Sequence, residues 1–203
     1  MGLTAWTYEL FQSWNILPKD DRVARPKTCE FCAKIASSAR DETFVHADDA
    51  LVVFEDWKPA AARHYLVCPR EHITSANALS GAGRREGDDD GGDGDRARGG
   101  GGDAAMARRM LELGKEAIAR DYADATTTPD TKFGFHLPPF NSVDHLHMHA
   151  FALPFDPPWK EHKYGGVLGS VAFAEATDVI ERLEREEAEA AAAEAEAGRR
   201  SNL

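Results

Sequence analysis

Three histidines, His145, His147 and His149, alternate with Leu146, Met148 and Ala150. In an extended strand this spacing of two puts all three imidazoles on one side and the apolar residues on the other. Core packing does not account for such a row, because each buried imidazole would need a polar partner of its own. An imidazole that titrates near neutrality serves as nucleophile or acid–base group, and clustered imidazoles hold metals; both chemistries stay open at this point. Cys29 and Cys32 form a C-x-x-C, half of a tetrahedral zinc site. The same pair also reads as two small packed hydrophobes or as a redox dithiol, although the thioredoxin-like strand-to-helix setting is lacking. Cys68, inside the run HYLVC, reads as a buried core thiol.

The elements that must carry these groups alternate between strand-like and helix-like stretches. Thr43–His46 and Leu51–Phe54 predict a hairpin around Ala47-Asp48-Asp49-Ala50, and His64–Cys68 a third strand. Glu71–Leu79 is expected to open a helix. Met106, Met110, Leu113, Ala117 and Ile118 recur at helical spacing over Ala105–Tyr122. Lys132–His136 and His145–Leu153 read as two further strands around the Pro138-Pro139 turn, and Val171–Leu183 as a last helix. At the N-terminus Trp6, Leu10, Phe11, Trp14 and Leu17 form a helical packing stripe. The expected organisation is an extension over 1–27, a domain over 28–183 with a Gly/Asp-rich insertion over 81–104, and an Ala/Glu-rich tail over 184–203.

The 203 residues suit one domain, and their formal charge of −11 argues against a broad footprint on nucleic-acid phosphates or anionic membranes. Residues 81–103 and 181–200 carry −3 each, so the remaining chain is only mildly acidic. Ten glycines within Gly81–Gly102 predict a solvated loop rather than a phosphate cradle, which would need a preceding strand and a patterned glycine motif. Three cysteines and no apolar signal segment point to a reducing compartment, cytoplasmic or nuclear, and no apolar run is long enough to span a membrane.

HLHMHAF at His145–Phe151 is the His-x-His-x-His-x-x pattern with apolar x, and the chain resembles the histidine-triad (HIT) superfamily. CEFCAKIA at Cys29–Ala36, VVFEDWKPAAARHYLVCPREHI at Val52–Ile73 and FGFHLPPFNSVDHLHMHAF at Phe133–Phe151 extend the resemblance over most of residues 28–153. Within the superfamily the chain is most similar to the Hint branch, and there to the third Hint-type adenosine 5′-monophosphoramidases. The insertion has no place in that pattern. The resemblance implies an α+β HIT-like fold, an antiparallel sheet of about five strands with packed helices, and a homodimer.

It also implies roles for individual residues. His147 is the nucleophile that attacks the α-phosphorus of a purine nucleotide and forms a nucleotidyl-imidazole. His149 and Ser142 lie near the leaving group and the phosphate oxygens, and His64 lines the phosphate pocket. Asp56 grips the ribose hydroxyls, and Trp57 replaces an aliphatic wall residue and stacks on the base. Asn141 stands where relatives often carry a glutamine, and His136 is either a substitute for an asparagine that touches the leaving group or a packing residue. Cys29, Cys32, His72 and His145 make a closed structural zinc site, with no organic cofactor. The reaction implied is release of AMP, or another nucleoside monophosphate, from a phosphoramidate or related adenylate. Hydrolysis of a dinucleoside polyphosphate and nucleotidyl transfer are the alternatives within the superfamily; the transferase branch carries glutamine at the position of His149, which favours a hydrolase. Outside catalysis, the alternative is a purine-nucleotide-binding interaction module.

Overall fold

The computed structural model describes residues 29–37, 43–81, 102–165 and 171–201. The N-terminal tryptophan stripe and most of the glycine-rich insertion lie outside the described residues. In chain order the elements are α1 (Glu30–Ser37), β1 (Phe44–Ala47), β2 (Leu51–Glu55), β3 (Ala61–Pro69), α2 (Asp103–Asp121), β4 (Thr131–His136), β5 (Met148–Phe155), β6 (Phe173–Glu175) and α3 (Ala176–Ser201), with 3-10 turns at Ala76–Ala78 and Pro158–Lys163. The strands form one sheet in the order β1-β2-β3-β5-β4-β6, every neighbour antiparallel. This is the α+β architecture expected, with six strands among the described residues where about five were expected.

The β1–β2 hairpin closes on Asp48, whose carboxylate accepts the backbone N–H groups of Ala50 (2.9 Å) and Leu51 (2.7 Å). Such local capture by aspartate is what makes it a turn residue. From there the pleat divides the side chains. Leu51, Val53, Tyr65, Val67, Met148 and Ala150 join one core with α2 and α3. Gly114 of α2 sits where a β-carbon would stand 2.9 Å from Met148 Cε, so the helix lies close against β5.

Among the described residues the opposite face carries no long helix. There Val52, Phe54, Leu66 and Cys68 pack with Ile35 of α1 in one cluster, while Phe151, Phe155, Tyr164 and Phe173 belong to another. The histidines occupy the strip between these clusters.

Three sequence expectations change. Glu71–Leu79 forms only the 3-10 turn Ala76–Ala78, because its backbone groups are taken by distant partners: Leu146 N–H donates to Ile73 O (2.5 Å), and Arg182 donates to Ala76 O and Leu79 O. The last helix starts at Ala176 rather than Val171, since Phe173–Glu175 pairs with β4 as an edge strand. That helix then runs through Leu183 without a break to Ser201. Finally, the histidine strand begins at Met148, and His145, at a bend, and His147 lie in the loop before it.

The stems of the insertion are held together. Ser80 N–H donates to the buried Asp103 carboxylate (2.9 Å), and Gly81 N–H to Glu186 of α3 (2.9 Å).

β6 fits because residue 134 has no side chain. A β-carbon at Gly134 would collide with Ala174 O and come within 2.7 Å of Phe173 Cζ. Gly134→Ala is expected to displace β6 and cost about 1–3 kcal/mol, as overpacking does. Thermal unfolding should show a drop of roughly 3–10 °C.

Candidate active site

The pairing of β3 with β5 assembles the site. His64 lies opposite Phe151 and Leu66 opposite His149, so His64 and His149 are diagonal neighbours on one face. Their rings are 5.1 Å apart, and His64 Nε2 is 2.8 Å from His149 Nδ1. His147 follows at 4.9 Å from the His149 ring, and His136 of β4 at 5.0 Å. All of these histidines are buried.

Backbone partners fix the tautomers, because a carbonyl can only accept. His147 Nδ1 donates to the carbonyl of His145 at 2.6 Å, which leaves its lone pair on Nε2. His136 Nδ1 donates to Ala172 O (3.2 Å), which also leaves Nε2 as an acceptor. Ala60 N–H donates to His64 Nδ1 (3.2 Å), so His64 Nε2–H donates to His149 Nδ1 and the proton of His149 sits on Nε2. The Nε2 atoms of His136 and His149 are buried with no partner among the described residues. The first is an acceptor and the second a donor.

Burial keeps the cluster neutral. It pushes His64 down to about 2 and His136 down to about 3, and Lys163 adds its charge in both cases. His147 is lowered and His149 well lowered, again mainly by burial. A neutral imidazole with a free Nε2 is a nucleophile at physiological pH.

Asp56 stands at the edge of this cluster. One of its oxygens accepts Lys58 N–H (2.8 Å) and the other lies 3.4 Å from His64 Nδ1. Trp57 projects outward, 80% exposed, with the Lys58 ammonium 4.1 Å from its ring centroid. Asn141 is buried and turns its amide into its own loop, toward Val143 O (3.2 Å) and Asp144 (2.8 Å). Ser142 beside it is exposed and makes no hydrogen bond among the described residues. A larger cavity of about 300 Å³ opens on the helical side, lined by Leu111, Lys115, Lys132 and Thr177, and contains no imidazole.

Cys29, Cys32, His72 and His145 converge at the end of this strip, their ligand atoms all within 4.8 Å of one another. Cys29 Sγ and Cys32 Sγ are each 3.4 Å from His145 Nδ1, and Cys32 Sγ is 3.2 Å from His72 Nδ1. Tetrahedral zinc with ordinary bond lengths separates sulfur from nitrogen by about 3.5 Å, so the donors fit the ion. His145 Nε2 donates to Pro69 O (2.8 Å), which aims the Nδ1 lone pair at the sulfurs in the manner of an outer-shell partner. Burial and the neighbouring Cys29 push the Cys32 thiol up to about 12. Asp56, His64 and His149 also converge, but their facing nitrogens already bind one another or the backbone.

Three residues of the site escaped sequence reasoning. Phe31, between the two cysteines, sets its ring 5.2 Å from His147 edge to face. Tyr164 is buried with its ring 5.0 and 5.4 Å from those of His136 and His149. Lys163 precedes it. The only signal was the basic, aromatic run PWKEHKY after the strand, unusual in an acidic chain.

A strip of five buried histidines thus lies on an antiparallel sheet, with the lone pair of His147 held on Nε2. A family model described as scavenger mRNA decapping enzyme C-term binding matches residues 28–88 and 100–165. The chain is 38% identical over 157 residues to the bifunctional adenosine 5′-phosphosulfate phosphorylase/adenylylsulfatase HINT4 of Arabidopsis thaliana, covering 77% of this chain and 92% of that protein. It is 32% identical over 142 residues to the adenosine 5′-monophosphoramidase HINT3 of Mus musculus, covering 70% and 67%. A histidine triad protein from Clostridium difficile superposes with a TM-score of 0.45 at 21% identity, covering 65% of this chain and 95% of that one. The chain belongs to the histidine-triad superfamily, in its Hint-like branch, and is a hydrolase of that family.

The neutral cluster has a consequence for stability. The unfolded chain binds protons at histidines with an ordinary pKa of 6.5, while folded His64 and His136 refuse them down to about 2 and 3. Stability is therefore full above about pH 6.5 and drains as pH falls toward 3, by ~1.4 kcal/mol per pH unit for each such group. Urea midpoints between pH 8 and pH 4 should show this slope, and His136→Gln should make it shallower by about one proton.

Proposed function

We propose that the protein releases AMP, or another nucleoside monophosphate, from a phosphoramidate or an adenylate through a nucleotidyl intermediate on His147. The observation that carries this reading is the 2.6 Å hydrogen bond from His147 Nδ1 to His145 O, which presents Nε2 as a neutral nucleophile beside the unpartnered N–H of His149. Nε2 forms its bond to the α-phosphorus as the bond to the leaving group breaks. The positive charge gained by the His147 ring is shared with the His145 carbonyl. A departing amine takes a proton through His149 and Ser142. Water then displaces AMP from His147 and returns a proton to that pair, while His64 holds the His149 ring in place. Asp56 receives the ribose hydroxyls and Trp57 covers the base; the amide of Asn141 serves the loop that carries Ser142.

The identity with the Arabidopsis protein favours a second reading of the leaving group. In an adenosine 5′-phosphosulfate the departing sulfate is already an anion and needs no proton. Cys29, Cys32, His72 and His145 would hold a zinc ion. When bound, zinc supplies a cross-link between α1 and the histidine segment and no chemistry at phosphorus. By the same family resemblance we propose a homodimer, cytoplasmic or nuclear.

Turnover of an AMP phosphoramidate and of adenosine 5′-phosphosulfate tests the reading. His147→Ala should lose at least about a thousandfold in kcat with AMP binding retained, and Asp56→Ala should raise KM more than it lowers kcat. Residual activity within tenfold of wild type in His147→Ala would sink the covalent route. Metal analysis of freshly purified protein should give one zinc per chain, absent from Cys29→Ser and accompanied there by a lower Tm; a metal-free wild type of full stability would leave the cysteines as packing residues.

A further inference from the structure

The orientation of His147 decides whether a lone pair faces the substrate, yet this residue lies outside the sheet ladder. β5 joins the ladder at Met148, opposite Val67, while His145 sits at a bend and His147 in the loop before the strand. A loop backbone takes its place from the side chains and hydrogen bonds that reach it. The end of β3 and the segment after it supply two: Leu146 N–H donates to Ile73 O (2.5 Å), and His145 Nε2–H to Pro69 O (2.8 Å). The cysteine–histidine cluster supplies another tie. Cys29 and Cys32 stand at the start of α1, His72 follows β3, and His145 belongs to the loop itself, so the four donors join three stretches of chain outside the ladder.

The contacts run in a line to the nucleophile. Cys32 Sγ is 3.2 Å from His72 Nδ1 and 3.4 Å from His145 Nδ1, and the His72 and His145 rings stand 5.1 Å apart. The carbonyl of His145 then accepts the Nδ1 proton of His147 at 2.6 Å. Phe31, between the two cysteines, sets its ring 5.9 Å from that of His145 and 5.2 Å from that of His147. α1 has eight residues, too few for a helix to persist unaided, so Phe31 is fixed by the anchored cysteines and by its packing on Phe54, 5.6 Å between rings. Thiol–imidazole contacts are weak and set no angle at His145. Four donors on one tetrahedral ion do set it. Any turn of His145 moves its carbonyl, and with it the acceptor that keeps the His147 lone pair on Nε2.

We propose that Cys29, Cys32 and His72 are positioning residues for the nucleophile: by holding His145 through a bound zinc ion they fix the carbonyl that sets the His147 tautomer, so that metal loading controls the chemical step as well as stability. The proposal rests on the reading of His147 as nucleophile, but the tautomer is measurable without turnover.

The test uses the full chain well below its unfolding temperature, with AMP phosphoramidate as substrate, AMP as binding probe and 15N-labelled histidine for ring NMR. Zinc-loaded wild type should show His147 as one tautomer, protonated on Nδ1. Stripping the ion with a chelator, or Cys32→Ser, should mix the two tautomers and slow single turnover by about a hundredfold, the effect of misplacing a reacting group by about an ångström. AMP affinity should stay within about threefold, because the contacts to the nucleotide are common to ground and transition states. Zinc returned to the stripped wild type should restore both tautomer and rate. A lower Tm with tautomer and rate unchanged overturns the proposal, as does a parallel loss of AMP binding and rate, which would place the cluster under the pocket as a whole. Wild type that takes up no zinc overturns it too. If the stripped protein unfolds, His72→Ala keeps three donors and should still mix the His147 tautomers, with turnover slower by about tenfold; an unchanged His147 signal overturns the assignment. If the wild type cleaves no phosphoramidate, the nucleophile reading falls, and the tautomer comparison still decides whether the cluster orients His147.

Discussion

The hydrogen bond from His147 to the backbone carbonyl of His145 is the contact on which the rest of the site depends. It converts a ring with two interchangeable nitrogens into one with a defined donor and a defined lone pair. The carbonyl that receives it belongs to a residue whose side chain points into the cysteine–histidine cluster and whose other ring nitrogen is held by Pro69. One residue therefore faces two ways. Its imidazole meets the two cysteines at the start of α1, and its backbone orients the His147 ring. Phe31 strengthens the link, since α1 carries it between the cysteines and sets it against His147.

Burial is the second constraint. Five imidazoles close together would repel one another if protonated, and the apolar clusters on either side of the strip make the charged form unfavourable for each. The sheet allows this because its two long helices, α2 and α3, pack on the other face, where α2 lies close enough to need Gly114. Among the described residues the histidine face is shielded by aromatic side chains, the short helix α1 and a 3-10 turn, and the charges at its border are Asp56 and Lys163.

Much of this was legible in the sequence, and the reason is periodicity. His145, His147 and His149 alternate with residues that enter the core, and Met106, Met110, Leu113 and Ala117 mark α2, because each pattern is local. What depended on register was not legible. Nothing in HYLVC says that His64 will meet His149; only the offset between β3 and β5 does. β6 was hidden for a similar reason. FAE followed by ATDVIERL reads as helix, and the free edge of β4 overrides that preference for three residues. Lys163 looked like any other lysine of a polar turn until the fold carried Tyr164 under the histidines.

The first stem of the glycine-rich insertion is fastened where it leaves the fold, Ser80 to Asp103 of the returning stem and Gly81 to Glu186 of α3. Loop length then enters the stability of the domain only through a slowly varying closure entropy, since the ends are already joined. Evolution has, in effect, a permissive seam on the helical side of the sheet, where sequence can be added or removed without redrawing the reactive face. The same seam is a natural place to graft a reporter domain or an affinity module into the chain.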